Sequence, residues 1–182
     1  PPLAGKRILV TRSESNASEL VDQLEALGAD CVEVPTISIR PKALRPQVEK
    51  ALTQQLGEFD WVIFNSIHAV KYFFSLLSRA ALDARALGGI KVCAVGPKTQ
   101  AALEAHGITP DLVPSQFTTR ALATAFKRIP ISGKKIMIPR SSLAVGDHLA
   151  KGLRDKGAQV NEIPLYETVV PDVPKHTLRE QL

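Results

Sequence analysis

Aromatic residues and cysteines are scarce in this sequence. Phe, Trp and Tyr together make up 5% of the 182 residues, so the core must be built mainly from aliphatic side chains. The two cysteines, Cys31 and Cys93, lie in apolar runs, and their spacing is not that of a metal site. Both are typical of reduced core residues in a cytoplasmic protein, and we expect no metal centre built on them.

Long apolar runs and blocks of one charge are missing as well. No stretch is long enough to span a bilayer, so we expect no membrane partner. The net charge of +5 comes from 23 basic and 18 acidic residues, and the excess is not gathered in a basic tract. This charge suits a small anionic ligand, and we expect no nucleic-acid partner.

Familiar catalytic and phosphate-binding motifs are also missing. No Ser-His-Asp or Cys-His grouping is recognisable, and "VGPKT" at 95–99 is too short and lacks the glycines of a phosphate-binding loop. His106, His148 and His176 fall on or near polar helix faces, where we expect them to be solvated. The sequence therefore predicts neither a nucleophile–base pair nor a nucleotide phosphate site.

What the sequence does contain is an internal repeat. "GKRILVTR" at Gly5–Arg12 returns as "GKKIMIPR" at Gly133–Arg140. At a nearly constant distance, each copy continues with a helical stretch, a Gly-Ala pair, a short strand and a proline, Pro35 or Pro164. Two generic strand–helix–strand units can resemble each other by chance, but periodicity does not demand the shared Arg, Gly-Ala and Pro. We therefore interpret the segments as two copies of one structural unit.

Strand and helix patterns alternate along the chain. The predicted strands are Arg7–Val10, Cys31–Val34, Asp60–Phe64, Ile90–Val95, Asp111–Val113, Lys135–Ile138 and Gln159–Ile163. The predicted helices hold Leu20–Leu27 and Val70–Leu77, and span Lys98–His106, Thr118–Ile129 and Ala144–Lys156. Such alternation predicts an α/β fold with doubly wound parallel sheets. Short apolar strands such as Arg7–Val10 are expected to be buried on both faces.

Two proline-bounded stretches, Pro35–Pro41 and Pro164–Pro171, interrupt this rhythm. Each is either an edge strand or loop, or, as we favour, one of two extended linkers between two domains. Linkers at these places predict a discontinuous first domain, residues 1–35 with 171–182, and a second domain of residues 36–170. The repeat order also suggests that the first domain continues beyond Leu182, because its N-terminal unit alone has too few strands to be stable.

Six segments, in this order, resemble the uroporphyrinogen-III synthase family: "GKRILVTR", "FDWVIFNSIHAV", "VCAVGPKTQAALEAHGI", "PSQFTTRALA", "GKKIMIPRSSLA" and "GAQVNEIPLYET". The resemblance implies two flavodoxin-like domains joined by a two-stranded linker, with the active site between them. It also implies a reaction, the closure of the linear tetrapyrrole hydroxymethylbilane to uroporphyrinogen III with loss of water. No metal or organic cofactor takes part, the substrate is a polycarboxylate that suits a basic protein, and we expect a cytoplasmic monomer.

The candidate substrate-binding residues follow predicted strands and open predicted helices. Ligands of doubly wound sheets bind beyond the carboxyl ends of the strands, where helix N-termini attract anions. We call the edge formed by the carboxyl ends of the strands the rim. The candidates on this rim are Arg12, Ser13, Asn65, Ser66, His68, Gly96, Pro97, Thr99, Thr118, Arg140 and Ser141. Serines here could equally be ordinary helix caps, and the two arginines could equally form structural ion pairs.

Tyr166 is the one candidate catalytic residue. It matches the tyrosine that the family carries after this strand, and the resemblance implies that it helps the substrate hydroxyl to leave. The alternative is an aromatic side chain packed on the linker. The chain departs from the family at two positions, having Asn65 where the family usually has Thr and His68 where it often has Asn. His68 would add a group that titrates near neutral pH.

A different class of function remains as an alternative, a non-catalytic flavodoxin-like domain that binds a ligand or regulates. A receiver-like domain of this kind needs an acidic cluster at the strand ends to hold magnesium. The strand ends of this sequence carry Asn65, Gly96 and Arg140 instead, which disfavours that alternative.

Overall fold

The computed structural model of the protein describes residues 1–11, 14–34, 36–143 and 148–171. Its strands are β1 (Arg7–Val10), β2 (Asp30–Glu33), β3 (Ser38–Pro41), β4 (Trp61–Phe64), β5 (Lys91–Ala94), β6 (Lys135–Ser141) and β7 (Gln159–Val169). Its helices are α1 (Glu14–Ala26), α2 (Pro46–Gln54), α3 (Ile67–Arg79), α4 (Pro97–Glu104), α5 (Thr119–Ala125) and α6 (His148–Arg154). None of the described helices combines the length and the apolar character that a membrane span needs.

The chain divides into two compact units, of which the first holds Pro1–Arg40 and the last described residues from Thr168. In it β1 and β2 pair in parallel, and helix α1 packs on one face of the pair. Its small core joins Val10 and Val21, while Leu9 on the other face of β1 is 47% exposed. The prediction that this strand is buried on both faces is wrong for the described residues, because α1 covers only one of them.

The second unit, Pro41–Glu167, holds strands β4, β5 and β6 and most of β7, which stand in the sheet order β7-β6-β4-β5. Strand β4 runs parallel to β5 and β6, and β6 runs parallel to β7. Every residue of β4 is buried, because helices cover both faces of this strand. Trp61 and Ile63 pack with α5 and α6, while Phe64 meets Phe73 of α3 at 5.3 Å between ring centroids. The predicted α/β class with parallel sheets is confirmed.

Two predicted elements differ from the structure, and one helix of the structure was not predicted. The strand expected at Asp111–Val113 is reduced to one bridge between Leu112 and Cys93, because prolines on both sides leave too few residues to pair. The helix expected to reach Ile129 ends at Ala125 and continues as a 3₁₀ turn over Phe126–Arg128. Helix α2 was not predicted, since Leu52 is its one buried residue and its apolar face is narrow. Residues 144–147 of the last predicted helix lie outside the described residues.

The proline-bounded stretches both contain sheet strands. Pro35 lies outside the described residues, and Ser38–Pro41 forms β3 at the edge of the sheet. The second stretch continues β7, which is therefore 11 residues long rather than ending at Ile163. The register shifts after Arg140, which lies opposite Pro164, so that Ser141 lies opposite Tyr166 and Leu165 is the extra residue. A bulge accommodates Pro164 in an interior strand, because proline has no N–H for the ladder.

Candidate active site

The carboxyl ends of the parallel strands β4, β5, β6 and β7 lie at one edge of the sheet. Asn65 and Ser66 follow β4, Gly96 follows β5, and Ser141 ends β6. The bulge in β7 brings Tyr166 to the same edge, and its carbonyl accepts from the Ser142 N–H at 2.8 Å. We take this edge as the candidate active site.

Ser66 stands at the start of α3. It is the N-cap of that helix, and its Oγ accepts a hydrogen bond from the Ala69 N–H at 3.0 Å. This is the ordinary capping role that the sequence left open for the serines of this rim. The same Oγ also lies 2.8 Å from the Tyr166 hydroxyl, and either oxygen can donate. Ser66 therefore connects the start of α3 to the candidate catalytic residue.

Tyr166 is enclosed by aromatic side chains of α3. Its ring stacks on Tyr72 at 5.5 Å between centroids with 22° between the planes. The His68 ring lies 6.0 Å away, tilted by 48°. Only 7% of Tyr166 is exposed, so packing of this residue, the alternative weighed from the sequence, is part of what it does.

Burial shifts the titration of two groups in this cluster. Burial, and secondarily the charge of Lys71, lowers the pKa of His68 from its ordinary value of 6.5. The imidazole is therefore neutral at neutral pH, which makes it a weaker pH-sensing group than its sequence position suggested. Burial, and secondarily Tyr166, raises the pKa of the Tyr72 phenol, which keeps its proton.

Asn65 has an unsatisfied acceptor at the end of β4. Its Oδ1 is buried and receives no hydrogen bond within the described part of the chain. Buried polar atoms almost always have partners, since an unmet acceptor costs about 1–3 kcal/mol. An unpaired carbonyl beside a helix start fits a ligand that brings an N–H or O–H.

Arg140 is paired with an acid in this structure. Its guanidinium meets Glu162 of β7, and the other Glu162 oxygen accepts from Arg154 at 2.8 Å. The contact with Arg140 is an ion pair, and both side chains are largely buried, at 13% and 20% exposure. This matches the structural ion pair that the sequence allowed, so binding of a substrate carboxylate by Arg140 stays a prediction.

The remaining predicted residues have separate settings. Gly96 caps α4, and a Cβ at this position would come within 3.0 Å of Phe117. Pro97 is exposed in the first turn of α4, while Thr99 is 4% exposed. Ser141 Oγ accepts from the Leu143 N–H at 3.3 Å. Arg12 and Ser13 lie outside the described residues.

Thr118 caps α5, with its side chain accepting from the Ala121 N–H at 3.1 Å. It lines a cavity of about 470 Å³ together with Ser115, Arg120 and Arg128. A wider cavity of about 740 Å³ lies between α2 and the C-terminal end of α3, at the opposite end of that helix from Ser66. We assign the site to the strand ends rather than to that wider cavity, because neither Ser66 nor Tyr166 is among the residues that line the cavity.

Sequence reasoning named Ser66, His68 and Tyr166 separately but did not pair them. It missed Tyr72 and Glu162 altogether. The register of the parallel strands is the signal that could have joined them, since β4 and β7 flank β6 and end at the same edge. In the part of the chain that the structure describes, no group of three His, Cys, Asp or Glu side chains could hold a metal ion.

Comparison with known proteins gives a consistent family. Residues 18–182 match the family described as Uroporphyrinogen-III synthase HemD. The chain is 34% identical over 169 residues to the porphyrin biosynthesis protein HemD of Ruminiclostridium josui, covering 92% of this chain and 33% of that protein. It is 31% identical over 172 residues to the uroporphyrinogen-III synthase of Synechococcus elongatus, covering 93% and 63%. The chain thus spans less than two thirds of the length of these curated relatives.

Solved structures agree at the level of the fold. A mutant uroporphyrinogen III synthase of Thermus thermophilus superposes with a TM-score of 0.70 at 16% identity, covering 98% of this chain and 70% of that one. The uroporphyrinogen-III synthetase of Helicobacter pylori gives a TM-score of 0.56 at 16% identity, with 82% and 61% covered. At such low identity the likeness concerns the fold alone.

Proposed function

Because the chain belongs to the uroporphyrinogen-III synthase family, we propose that the protein cyclises hydroxymethylbilane to uroporphyrinogen III. The reaction inverts the last pyrrole ring and releases water, which makes the enzyme a hydro-lyase of tetrapyrrole biosynthesis. The observation that carries the proposal is the family match over residues 18–182. The strand-end cluster around Tyr166 supports it, because a tyrosine is where the family resemblance requires one.

The proposal includes the domain organisation. We propose two flavodoxin-like domains, residues 1–35 with 171–182 and residues 36–170, joined by the two stretches that contain β3 and the end of β7. The division of the chain into units at Arg40/Pro41 and Glu167/Thr168 supports these boundaries to within a few residues.

Tyr166 is the proposed catalytic residue. Its phenol gives a proton to the hydroxyl of the substrate as the carbon–oxygen bond breaks, and water leaves. The electrons that replace the broken bond come from the neighbouring pyrrole nitrogen, so the substrate itself supplies the driving force. No second acid–base group is then essential, and the protein contributes mainly by holding the chain in a cyclisation-ready conformation.

The substrate carboxylates are the proposed ligands of the rim. Backbone N–H groups at the starts of α3 and α4 attract anions, and the hydroxyls of Thr118 and Ser141 can donate to them. The unpaired Asn65 Oδ1 suits an N–H donor instead, and the pyrrole rings of the substrate carry such groups. Arg140 can bind a carboxylate only by sharing or exchanging Glu162. We propose a monomer that works in the cytoplasm without a cofactor, nucleic acid or membrane.

The test is the product isomer. Intact protein given hydroxymethylbilane should yield the type III isomer, whereas spontaneous closure yields type I, and chromatography separates the two. Type I alone from folded protein would overturn the proposal. The regulatory alternative is not favoured, because the strand ends carry Asn65, Gly96 and Arg140 rather than acids.

A further inference from the structure

The hydroxyl of Ser66 has more than one bond to make. Its Oγ accepts from the Ala69 N–H at the start of α3, which occupies one of its two lone pairs. The remaining lone pair and its single proton are available to the Tyr166 hydroxyl at 2.8 Å. The bond between the two hydroxyls can therefore run in either direction.

The direction of this bond decides what Tyr166 can do. When Tyr166 donates to Ser66, its proton is committed and cannot be given to a substrate. When Ser66 donates to the phenol oxygen, the Tyr166 proton is free, and the oxygen already has a donor to stabilise negative charge as that proton leaves. Charge that develops there also lies beside the N-terminus of a 13-residue helix, whose dipole favours it.

We propose that Ser66 is a positioning residue that donates its proton to the phenol oxygen of Tyr166, and so prepares Tyr166 as the acid of the reaction. The inference rests on the proposed function, but it gives Ser66 a partner within the protein instead of the substrate. Tyr72 completes the arrangement, because its stacked ring limits the rotation that would take the phenol away from Ser66.

The proton and electron balance is complete. As the substrate carbon–oxygen bond breaks, its electron pair stays on oxygen, which takes the Tyr166 proton and leaves as water. Tyr166 becomes a phenolate held by the Ser66 O–H, and the substrate becomes a cation stabilised by its pyrrole nitrogen. Ring closure then releases a proton from carbon, and that proton restores the phenol.

Three substitutions at Ser66 separate this role from simple capping. Ser66→Thr keeps both the cap and the donor, Ser66→Asp keeps a good cap but has no proton to donate, and Ser66→Ala loses both. Measured on the intact protein, kcat should fall roughly tenfold or more in the Ala and Asp variants with KM nearly unchanged, and Thr should restore most of it. Thermal melting should place Asp with Thr and wild type, and only Ala below them.

A double variant tests whether Ser66 acts through Tyr166. In a Tyr166→Phe background, Ser66→Ala should cause little further loss of kcat, because the group it prepares is already gone. An equal further loss would overturn the proposal, since Ser66 would then act on the substrate directly. Full activity of Ser66→Asp would overturn it as well, by showing that a cap is sufficient.

One readout does not depend on turnover. With ¹³C-labelled tyrosine, the Cζ chemical shift of Tyr166, assigned by its loss in Tyr166→Phe, reports hydrogen bonding at the phenol oxygen. The shift should move in Ser66→Ala and Ser66→Asp and stay in Ser66→Thr; an unmoved shift in all three would overturn the proposal. A protein that makes no type III isomer but shows these shifts would reject the proposed function while leaving the Ser66–Tyr166 bond intact.

Discussion

The two copies of the repeat, Gly5–Pro35 and Gly133–Pro164, fold the same way in different surroundings. In the first copy the Lys6 carbonyl accepts from the Asp30 N–H at 2.8 Å, and in the second the Lys134 carbonyl accepts from the Gln159 N–H at 2.8 Å. Both helices are followed within three residues by a glycine with positive φ, +92° in Gly28 and +83° in Gly157. The repeat seen in the sequence is confirmed down to single backbone hydrogen bonds.

The two copies differ in how deeply their first strands, β1 and β6, are buried. Leu9 in β1 is 47% exposed, whereas its counterpart in β6, Met137, is fully buried. The difference lies in the neighbours, since β6 has strands on both sides, whereas within the described residues β1 pairs with β2 alone. Local sequence thus specifies the strand–helix–strand unit, and the rest of the chain decides how much of it is core.

Matched truncations at this pair give the largest expected effect. Met137→Ala should lower the free energy of unfolding by about 2–5 kcal/mol, because it leaves a cavity in a packed core. Leu9→Ala should cost well under that, since half of the side chain is already in water in the described structure. Chemical denaturation of both variants of the intact protein measures the difference. Equal losses would show that Leu9 is buried by residues beyond those described.

The residues two positions beyond the repeated prolines differ in chemistry. Tyr166 corresponds to Ile37, which is 41% exposed. Tyr166→Phe should lower turnover about a hundredfold, or about 3 kcal/mol of barrier. Ile37→Val, the matched control, should leave turnover unchanged.

The stability of Tyr166→Phe should fall by about 0.5–1.5 kcal/mol, because the hydroxyl gives up its bond to Ser66. Steady-state kinetics and melting of both variants form the test. A variant that keeps full turnover and melts early would make Tyr166 a packing residue.

The glycines that follow the two helices, Gly28 and Gly157, should respond alike to substitution. Gly28→Ala and Gly157→Ala should each cost about 1–2 kcal/mol, because an L side chain is strained at positive φ. An added Cβ would also meet the Pro1 ring in the first copy and the Ser132 hydroxyl in the second, each at 2.8 Å. Asn at either position should recover part of the loss, since asparagine tolerates this conformation. Urea unfolding measures both losses. If one of the two glycine variants were as stable as wild type, the two copies would not be equivalent at this position.

The fold was more predictable than the site. The repeat and the apolar runs predicted β1, β4, β5 and β6 within about two residues at most boundaries, because short buried strands carry a strong local pattern. Helix α2 escaped because so little of it is buried. The Ser66–Tyr166 and Arg140–Glu162 contacts were not predicted, because they depend on the strand order and on the bulge at Leu165. A local sequence pattern indicates neither the strand order nor the bulge.

The smallest expected effect concerns pH, and it distinguishes residues 1–40 of the first unit from the second unit. Residues 1–40 contain no histidine, whereas the second unit holds His68, whose pKa is lowered by burial and then by Lys71. A histidine with a lowered folded pKa binds its proton more readily in the unfolded chain. The contribution of neutral His68 to the free energy of unfolding is therefore complete above about pH 6.5. It is lost as the pH falls from there through the pKa of His68 in the folded protein.

His68→Asn should remove this component, because asparagine does not titrate. Hydrogen exchange of the intact protein, compared between wild type and variant at each pH, should show the acid-side loss of protection in α3 of the wild type alone. Amides of β1 and β2 should show the same protection in wild type and variant, since residues 1–40 contain no histidine. If α3 of the variant still lost protection at acid pH, the proton would bind to a group other than His68. If the amides of β1 lost protection to the same extent as those of α3, the two units would unfold together.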